Sequence, residues 1–138
     1  ILELSRDEKN SKIKAFENAL TQSQLNKARA AVREVRMSEQ VEEYLVQIIL
    51  ATRSSDKYGG NLSDWLEFGA SPRATIALDI CSKSLAWLDN RNFVTPDDIR
   101  SIAHDVLRHR LILSFEAEAN GISSDQVVDE LLKVVPSA

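Results

Sequence analysis

The chain has 138 residues, 43% of them hydrophobic and 28% charged, which is enough for one domain with a hydrophobic core. The formal net charge of −4 argues against a general electrostatic role on nucleic acid or on an acidic membrane, and no apolar run approaches the roughly 18 residues of a membrane span. A single cysteine, Cys81, excludes an intrachain disulfide, favours a reducing, cytoplasmic location, and is expected to be a small buried hydrophobe.

The chain is predicted to be mainly helical, because only four glycines and three prolines occur and apolar residues recur at the helical period. The predicted fold is all-α, a compact bundle of five or six helices with at most a very short strand or extended segments. Capping boxes at residues 5–8 and 21–24 predict a weak helix to about Leu20 and a firmer helix to about Val35.

The domain organisation follows from the difference between these two helices, because the first is predicted only weakly and the second clearly. Residues 1–21 are expected to form a linker or a weak N-terminal helix, and residues 22–138 a single domain. Because the chain begins with Ile1 rather than Met, we expect it to be an excised piece of a longer protein.

A third helix is predicted after Ser38, which is a suitable N-cap. Its buried stripe consists of Val41, Tyr44, Leu45, Ile48 and Thr52. Residues 54–61 contain the residues typical of turns and predict a loop. Residues 62–68 are ambiguous between a short helical turn and an extended segment.

The next helix start is well defined and carries a charge of unexpected sign. Gly69 interrupts the chain, Ser71 is predicted to be the N-cap, and Pro72 suits the first helical position. Arg73 then lies in the first turn, where a cation opposes the helix dipole at a cost of up to roughly 1 kcal/mol.

Two interpretations of Arg73 are open at this point. The guanidinium and the first-turn N–H groups together could bind an anion, of which phosphate is the usual example. Alternatively, Arg73 is a surface residue whose aliphatic stem covers Ile76 or Ala77. Periodicity alone favours the surface residue.

The helix from Pro72 to about Leu88 is apolar on two sides, which predicts a central helix. One face carries Ala74, Ala77, Leu78, Cys81, Leu85 and Leu88, and the nearly opposite face carries Ile76, Ile80 and Trp87.

Two further helices are predicted in the C-terminal part. Thr95 caps the first, with Pro96 at its first position and two acids in its first turn. Residues 111–115 are expected to form a short strand or to cover the core. Ser123 begins the last helix with a capping box, and Pro136 ends it.

The motifs of common catalytic sites are absent from the sequence. It has no Gly-x-x-x-x-Gly-Lys-Ser/Thr loop, no Gly-x-Gly-x-x-Gly and no Gly-x-Ser-x-Gly. His104 and His109 are five residues apart without a cysteine cluster, which argues against a zinc site. The basic residues 108–110 suit a helix C-terminus, with an interface to an acidic partner as the alternative.

Three segments together resemble the C-terminal helical lid of MoxR-type AAA+ ATPases. They are Gly-Ala-Ser-Pro-Arg-Ala-Thr at residues 69–75, Phe-Val-Thr-Pro-Asp-Asp-Ile at 93–99, and Val-Leu-Arg-His-Arg-Leu at 106–111. The resemblance extends over roughly residues 22–136, so residues 22–138 are identified as the lid domain. The Thr-Pro-Asp-Asp element alone occurs in other folds, and the Ser-Pro-Arg element makes the match specific.

The resemblance implies a role for Arg73. In such proteins an arginine at the start of a lid helix is the sensor-2 residue, which reaches the phosphates of ATP bound on the core domain. The phosphate loop, the Mg²⁺-binding acids and the arginine finger belong to that core, and this sequence contains none of them. ATP and Mg²⁺ are therefore expected as cofactors of the full-length parent, an ATPase, and no cofactor or catalysis is expected for this chain alone.

The resemblance also implies partners. The lid is expected to contact its own AAA+ core and neighbouring subunits in a ring, a hexamer in related proteins. Coupling of the nucleotide state to chaperone-like remodelling of a protein client is implied, as is a partner with a von Willebrand factor A domain.

Two other functions are kept as alternatives. One is a nucleotide-independent helical protein-interaction module that uses an apolar face or the basic residues 108–110. The other is a helix-turn-helix DNA binder with the Thr95 helix as recognition element, against which the acidic first turn and the net charge argue.

Overall fold

A computed structural model describes residues 19–137 of the chain. Seven α-helices lie in this range: α1 (Gln22–Arg33), α2 (Glu39–Arg53), α3 (Leu62–Trp65), α4 (Arg73–Leu88), α5 (Pro96–Leu107), α6 (Phe115–Ala119) and α7 (Ser124–Val134). The same range contains two short strands, β1 (Leu66–Phe68) and β2 (Ile112–Leu113), and a 3₁₀ turn (Ser55–Lys57). The all-α prediction is confirmed, and the five longer helices are those that the sequence predicts in this range. The weak helix predicted from residue 5 lies outside the described residues.

The chain divides into two compact units between Ala30 and Ala31. In the first unit the capping box predicted at Thr21 is confirmed. The Thr21 hydroxyl accepts the backbone N–H of Gln24 at 3.2 Å, and the Gln24 side chain accepts the N–H of Thr21 at 2.8 Å. The domain boundary between residues 21 and 22 stays a prediction.

The hydrophobic core lies in the second unit. Helix α4 packs against α2 and α5, and α7 packs against α2, α3 and α5. The five residues of the predicted α2 stripe are all buried. The largest fully buried side chains of the core include Ile48, Leu62, Leu78, Ile99, Leu107 and Leu131.

Helix α4 differs from the prediction of a central helix buried on two sides. Its buried residues are Ala74, Leu78, Ser82 and Ala86, which recur every four positions and are mostly small. This narrow stripe lets α5 approach closely on one side, since small side chains allow short distances between helix axes. The second apolar face is exposed, and so is Cys81, which was predicted to be buried.

The ambiguous segment of residues 62–68 contains both predicted alternatives. It begins as the single turn α3 and continues as β1, which pairs antiparallel with β2 through Leu66 opposite Leu113 and Phe68 opposite Ile112. Phe115 does not cover the core as one alternative expected, because it is 83% exposed at the start of α6. After β1, residues 69–72 connect the two-stranded sheet to the start of α4.

The start of α5 contains a buried charged network. Thr95 and Asp98 form a full capping box, and Arg91 donates to both Asp98 carboxylate oxygens at 2.8 and 2.6 Å. Burial of Asp98 raises the pKa of its carboxyl, but hydrogen bonds from Arg91 and from the backbone and hydroxyl of Thr95 outweigh it and hold the pKa below its ordinary value. The network fixes the entry of the chain into α5.

The depressed pKa of Asp98 predicts a pH-dependent contribution to stability. A carboxyl whose folded pKa lies below its unfolded value of about 3.9 stabilises the fold fully above that value, and loses this contribution as the pH falls through the folded pKa. Asp98→Asn should lower the free energy of unfolding by about 1–2 kcal/mol at pH 7 and reduce the difference between pH 7 and pH 2.5 in urea titrations.

Asp97→Asn is the matched control, because Asp97 lies in the same helical turn but is exposed. Asp97→Asn changes the net charge by the same amount but removes no contact with Arg91. An equal loss of stability in the two variants would contradict the role given to the network.

Candidate functional site

Arg73 is exposed and lies in the first turn of α4, as the sequence predicts for its place in the helix, but it is the first helical residue in place of Pro72. The first turn of α4 contains no acidic residue. Within residues 19–137 no carboxylate forms an ion pair with Arg73, in contrast to Arg91 and Arg108, which are paired. The guanidinium is therefore available to a group from outside the described residues.

The first turn of α4 is built differently from the prediction. Pro72 already has helical angles, φ −55° and ψ −21°, and no side chain caps the helix. The expected Ser71 hydroxyl cap is thus absent. Instead, the carbonyl of Ser71 accepts the N–H of Ala74 at 2.8 Å and the carbonyl of Pro72 accepts the N–H of Thr75 at 3.1 Å. The turn is tight, and no side chain of the described residues forms a capping hydrogen bond at its N-terminal end.

The two residues that lead into this turn are bound to the last turn of α2. The Thr52 hydroxyl accepts the N–H of Ala70 at 2.9 Å and donates to the carbonyl of Ile49 at 2.7 Å, while the Arg53 guanidinium donates to the carbonyl of Ala70 at 3.3 Å. Thr52 is 2% exposed and Ala70 is fully buried. We call this set of contacts, together with the packing of Gly69 on Thr52, the α2 contact.

Gly69 is required at its position for space. A Cβ added there would overlap the carbonyl group of Thr52 and lie 2.8 Å from its hydroxyl oxygen. Only a residue without a side chain allows the backbone to approach α2 this closely. The α2 contact therefore fixes the chain three residues before Arg73, and it is the part of the site that analysis of single motifs missed. The glycine next to a predicted helix start was its one sequence signal.

The other candidate residues form separate contacts. The His104 ring lies 3.0 Å from the Asp129 carboxylate, and Arg108 binds Asp125 at 2.8 Å and Asp105 at 3.1 Å. The hydrogen bond to Asp125 is the main cause of a raised pKa of Arg108. The basic residues 108–110 are thus partly neutralised within the domain, which favours the structural interpretation over an acidic partner.

Among residues 19–137 there is no group of three or more His, Cys, Asp or Glu side chains placed to hold a metal ion. None of the helices in the same range is long and apolar enough to cross a membrane.

Two open grooves border α4. One, of about 390 Å³, lies between α2 and α4 and is lined by Met37, Glu42, Leu45, Val46, Thr75, Ile76, Asp79 and Lys83. The other, of about 760 Å³, lies at the C-terminal end of α4 beside Trp87, Leu88 and residues 90–92. Both grooves adjoin the exposed apolar face of the helix rather than its buried stripe.

The packing of Gly69 predicts a large effect of one methyl group. Gly69→Ala should lower the free energy of unfolding by about 3 kcal/mol, because the added Cβ meets backbone that cannot move aside. Gly121→Ala is the control, since a Cβ there meets nothing and only the positive φ of 73° costs about 1 kcal/mol. Urea unfolding of both variants measures the difference, and a smaller effect at position 69 would contradict the close contact.

The Thr52 hydroxyl predicts a local change that can be measured at one amide. Thr52→Val keeps the side-chain shape but leaves the buried N–H of Ala70 without its acceptor, at a cost of about 1–3 kcal/mol. The Ala70 amide should then exchange with solvent deuterium faster than in the unsubstituted protein, as measured by NMR. Thr52→Ser retains the hydroxyl and should keep Ala70 protected; equal exchange in the two variants would disprove the bond.

Comparison with known proteins agrees with this fold. A family model described as AAA lid domain matches residues 63–131. Chaperone MoxR1 of Mycobacterium tuberculosis is 39% identical over 94 residues, which are 67% of this chain and 25% of that protein. The uncharacterized protein YeaC of Bacillus subtilis is 32% identical over 132 residues, 96% of this chain and 39% of that protein.

A solved structure extends the similarity to three dimensions. The crystal structure of a "putative ATPase" from Cytophaga hutchinsonii superposes with a TM-score of 0.83 at 32% identity, covering 99% of this chain and 42% of that one. The chain thus spans between a quarter and about two fifths of the length of these three proteins. The match to the family model, the MoxR relatives and the shared helical fold together show that this chain belongs to the AAA lid domain family and is a lid of the MoxR type.

Proposed function

We propose that Arg73 is the sensor-2 arginine of this lid and contacts the phosphates of ATP bound with Mg²⁺ on a core domain outside this chain. The observation that carries the proposal is an exposed guanidinium at the first position of α4, without an acid in the first turn and without an ion pair in residues 19–137. A guanidinium presents a planar fork of N–H donors that matches phosphate oxygens. The positive end of the α4 dipole adds to the attraction for an anion.

The catalytic machinery belongs to the core under this proposal. The sequence contains no phosphate-binding loop, so this chain alone is expected neither to hydrolyse ATP nor to hold Mg²⁺. The relatives are much longer than the chain, which leaves ample length in them for such a core. Arg73 supplies positive charge toward the transferring phosphoryl group, where charge stabilisation dominates the chemistry.

The α2 contact explains how a phosphate contact could move a whole domain. The backbone three residues before Arg73 is bound to the last turn of α2, and α4 packs on α2 and α5. Arg73 therefore cannot follow the phosphates through a loop movement of its own. A change in the nucleotide displaces the helical unit as a body, which is the motion that chaperone-like remodelling of a protein client requires.

The proposed setting is a ring of subunits in the cytoplasm, a hexamer as in related AAA+ proteins. Each lid contacts its own core and neighbouring subunits. The name of the mycobacterial relative, a chaperone, supports the remodelling of a protein client. A partner with a von Willebrand factor A domain is part of the same proposal, on family resemblance alone.

The proposal predicts that Arg73→Ala in the full-length protein lowers ATP hydrolysis at least about tenfold, since a charge-assisted hydrogen bond is worth about 1.5–3 kcal/mol. Steady-state phosphate release and nucleotide affinity are the measurements. The melting temperature should not change, because Arg73 is exposed. Arg73→Lys should retain only part of the activity, since an ammonium lacks the planar fork.

Arg33→Ala is the matched control, since Arg33 is an exposed arginine in the last turn of α1. The Arg33→Ala variant should hydrolyse ATP at the rate of the unsubstituted full-length protein. Unchanged hydrolysis and unchanged nucleotide affinity in Arg73→Ala would refute the sensor-2 role and favour the alternative, a nucleotide-independent protein-interaction module.

A further inference from the structure

The two-stranded sheet presents an exposed apolar patch. Phe68 on β1 is 61% exposed, Ile112 on β2 is 57% exposed, and Phe115, the first residue of α6, is 83% exposed. Phe68 and Ile112 are partners across the two strands, which places their Cβ atoms about 5 Å apart. Phe115 follows Ile112 by three residues and lies at most about 10 Å from it. We call these three residues the sheet patch.

An irregularity in β1 turns Phe68 toward solvent. Leu66 lies opposite Leu113 and Phe68 opposite Ile112, so Glu67 is an extra residue on β1, as in a β-bulge. In a regular strand Leu66 and Phe68 would point to the same side, because side chains alternate. With the extra residue, Leu66 is buried in the core while Phe68 joins Ile112 on the outer side of the sheet.

The backbone beneath the patch is firmly held. The N–H of Ser114 donates to the carbonyl of Trp65 at 2.9 Å, and the Ser114 hydroxyl donates to the carbonyl of Asp64 at 2.6 Å. The same hydroxyl accepts the N–H of Ala117 at 3.1 Å and so caps α6. Phe115 therefore projects from a fixed helix start, and a ligand need not order a loop in order to bind.

Every charged residue in the two segments that carry the patch is an acid. Residues 62–69 and 111–120 contain no Lys, Arg or His, and their four acids are Asp64, Glu67, Glu116 and Glu118. All four are exposed, and none forms an ion pair with a residue in the range 19–137. The formal net charge of the chain is also −4, so the rest of it is neutral overall. This acidic rim repels anions and attracts cations.

The dimensions of the sheet patch fit a helix. Two phenylalanines and one isoleucine at these exposures present roughly 400 Å² of surface. That is about half of the 800 Å² or so that each partner buries in a standard protein interface, so the patch suits a short segment better than a globular surface. Apolar side chains at positions i, i+3 and i+7 of a helix extend over about 10 Å, which matches the separation of Ile112 and Phe115.

We propose that the sheet patch binds a basic amphipathic helix of another protein. Large apolar side chains of that helix pack on Phe68, Ile112 and Phe115, and its Lys or Arg side chains face the acidic rim. Burial of apolar surface supplies the affinity, while the rim selects the charge of the partner and accelerates the encounter. No step uses a contact between Arg73 and phosphate, so the proposal does not rest on the sensor-2 role.

Binding of a synthetic helix is the first test. The probe is a fluorescein-labelled peptide of about 18 Leu and Lys residues with Leu at the helical period. Fluorescence anisotropy measures its binding to the full-length protein at about 150 mM salt. The same peptide with Glu in place of Lys should bind at least about tenfold more weakly. Equal binding of the two peptides, or no binding of the Lys peptide, would overturn the proposal.

A matched pair of substitutions locates the binding surface. Ile112→Ser should weaken binding of the Lys peptide about tenfold, whereas Ile80→Ser removes a similarly exposed isoleucine from α4, 54% exposed, and should leave binding within about twofold. Phe115→Ser repeats the test at the most exposed side chain of the patch. Equal effects at positions 112 and 80 would contradict the assignment. Melting temperatures establish that the variants fold.

Charge reversal tests the acidic rim. Glu116→Lys should weaken binding of the Lys peptide about fivefold, because it places a cation beside the patch. Glu34→Lys is the control, since Glu34 is an exposed acid outside the two segments. Equal effects of the two reversals would show that only the net charge of the protein matters and would overturn the role of the rim.

Photocrosslinking distinguishes the proposed partner from the protein itself. Benzoylphenylalanine at position 112 of the full-length protein should crosslink to the Lys peptide. Without the peptide it should give no product with a residue outside this lid, in the same subunit or in a neighbour. Such a product would show that the protein covers its own patch and would overturn the proposal. Peptide binding tests the sheet patch and ATP hydrolysis by Arg73→Ala tests the sensor-2 role, so either proposal can fail alone.

Discussion

The close approach of residues 69–70 to the last turn of α2 is the constraint on which the start of α4 depends. It combines a glycine that leaves space for the Thr52 carbonyl with a buried hydroxyl that bonds the next amide. Buried backbone N–H groups must be paired, so Ala70 stays where Thr52 places it. The contact joins two helices that are separated along the chain by a loop, a helical turn and a strand.

The position of Arg73 follows from this constraint. A surface arginine on a loop would sample many positions, and its contact with a ligand would move little else. Here the backbone is fixed three residues before the arginine, and the helix that follows is buried against α2 and α5 along Ala74, Leu78, Ser82 and Ala86. The free energy of a phosphate contact would therefore act on the whole helical unit. The small residues of this stripe let α4 pack closely on its neighbours.

The side of α4 opposite its buried stripe is exposed. Its isoleucines and tryptophan keep their apolar surface in water, which is unfavourable for a domain that functions alone. The buried stripe connects α4 to α2 and α5, while Ile76 and Ile80 on the opposite side of the helix are exposed.

Local patterns in the sequence were sufficient for the five longer helices and for placing Arg73 in the first turn of α4. The capping boxes at Thr21 and Ser123, the cap at Thr95 and the stripe of α2 depend on residues three or four apart, and the structure contains all of them. The family resemblance likewise depended on three short segments that follow one another in a fixed order along the chain. What these patterns could not supply was the burial of α4, because periodicity identifies an apolar face without showing what covers it. The exposure of Cys81 and Ile80 follows from which side of α4 packs against α2 and α5. The α2 contact was also decided by tertiary structure, since Thr52 and Ala70 are 18 residues apart and meet only once the helices have packed.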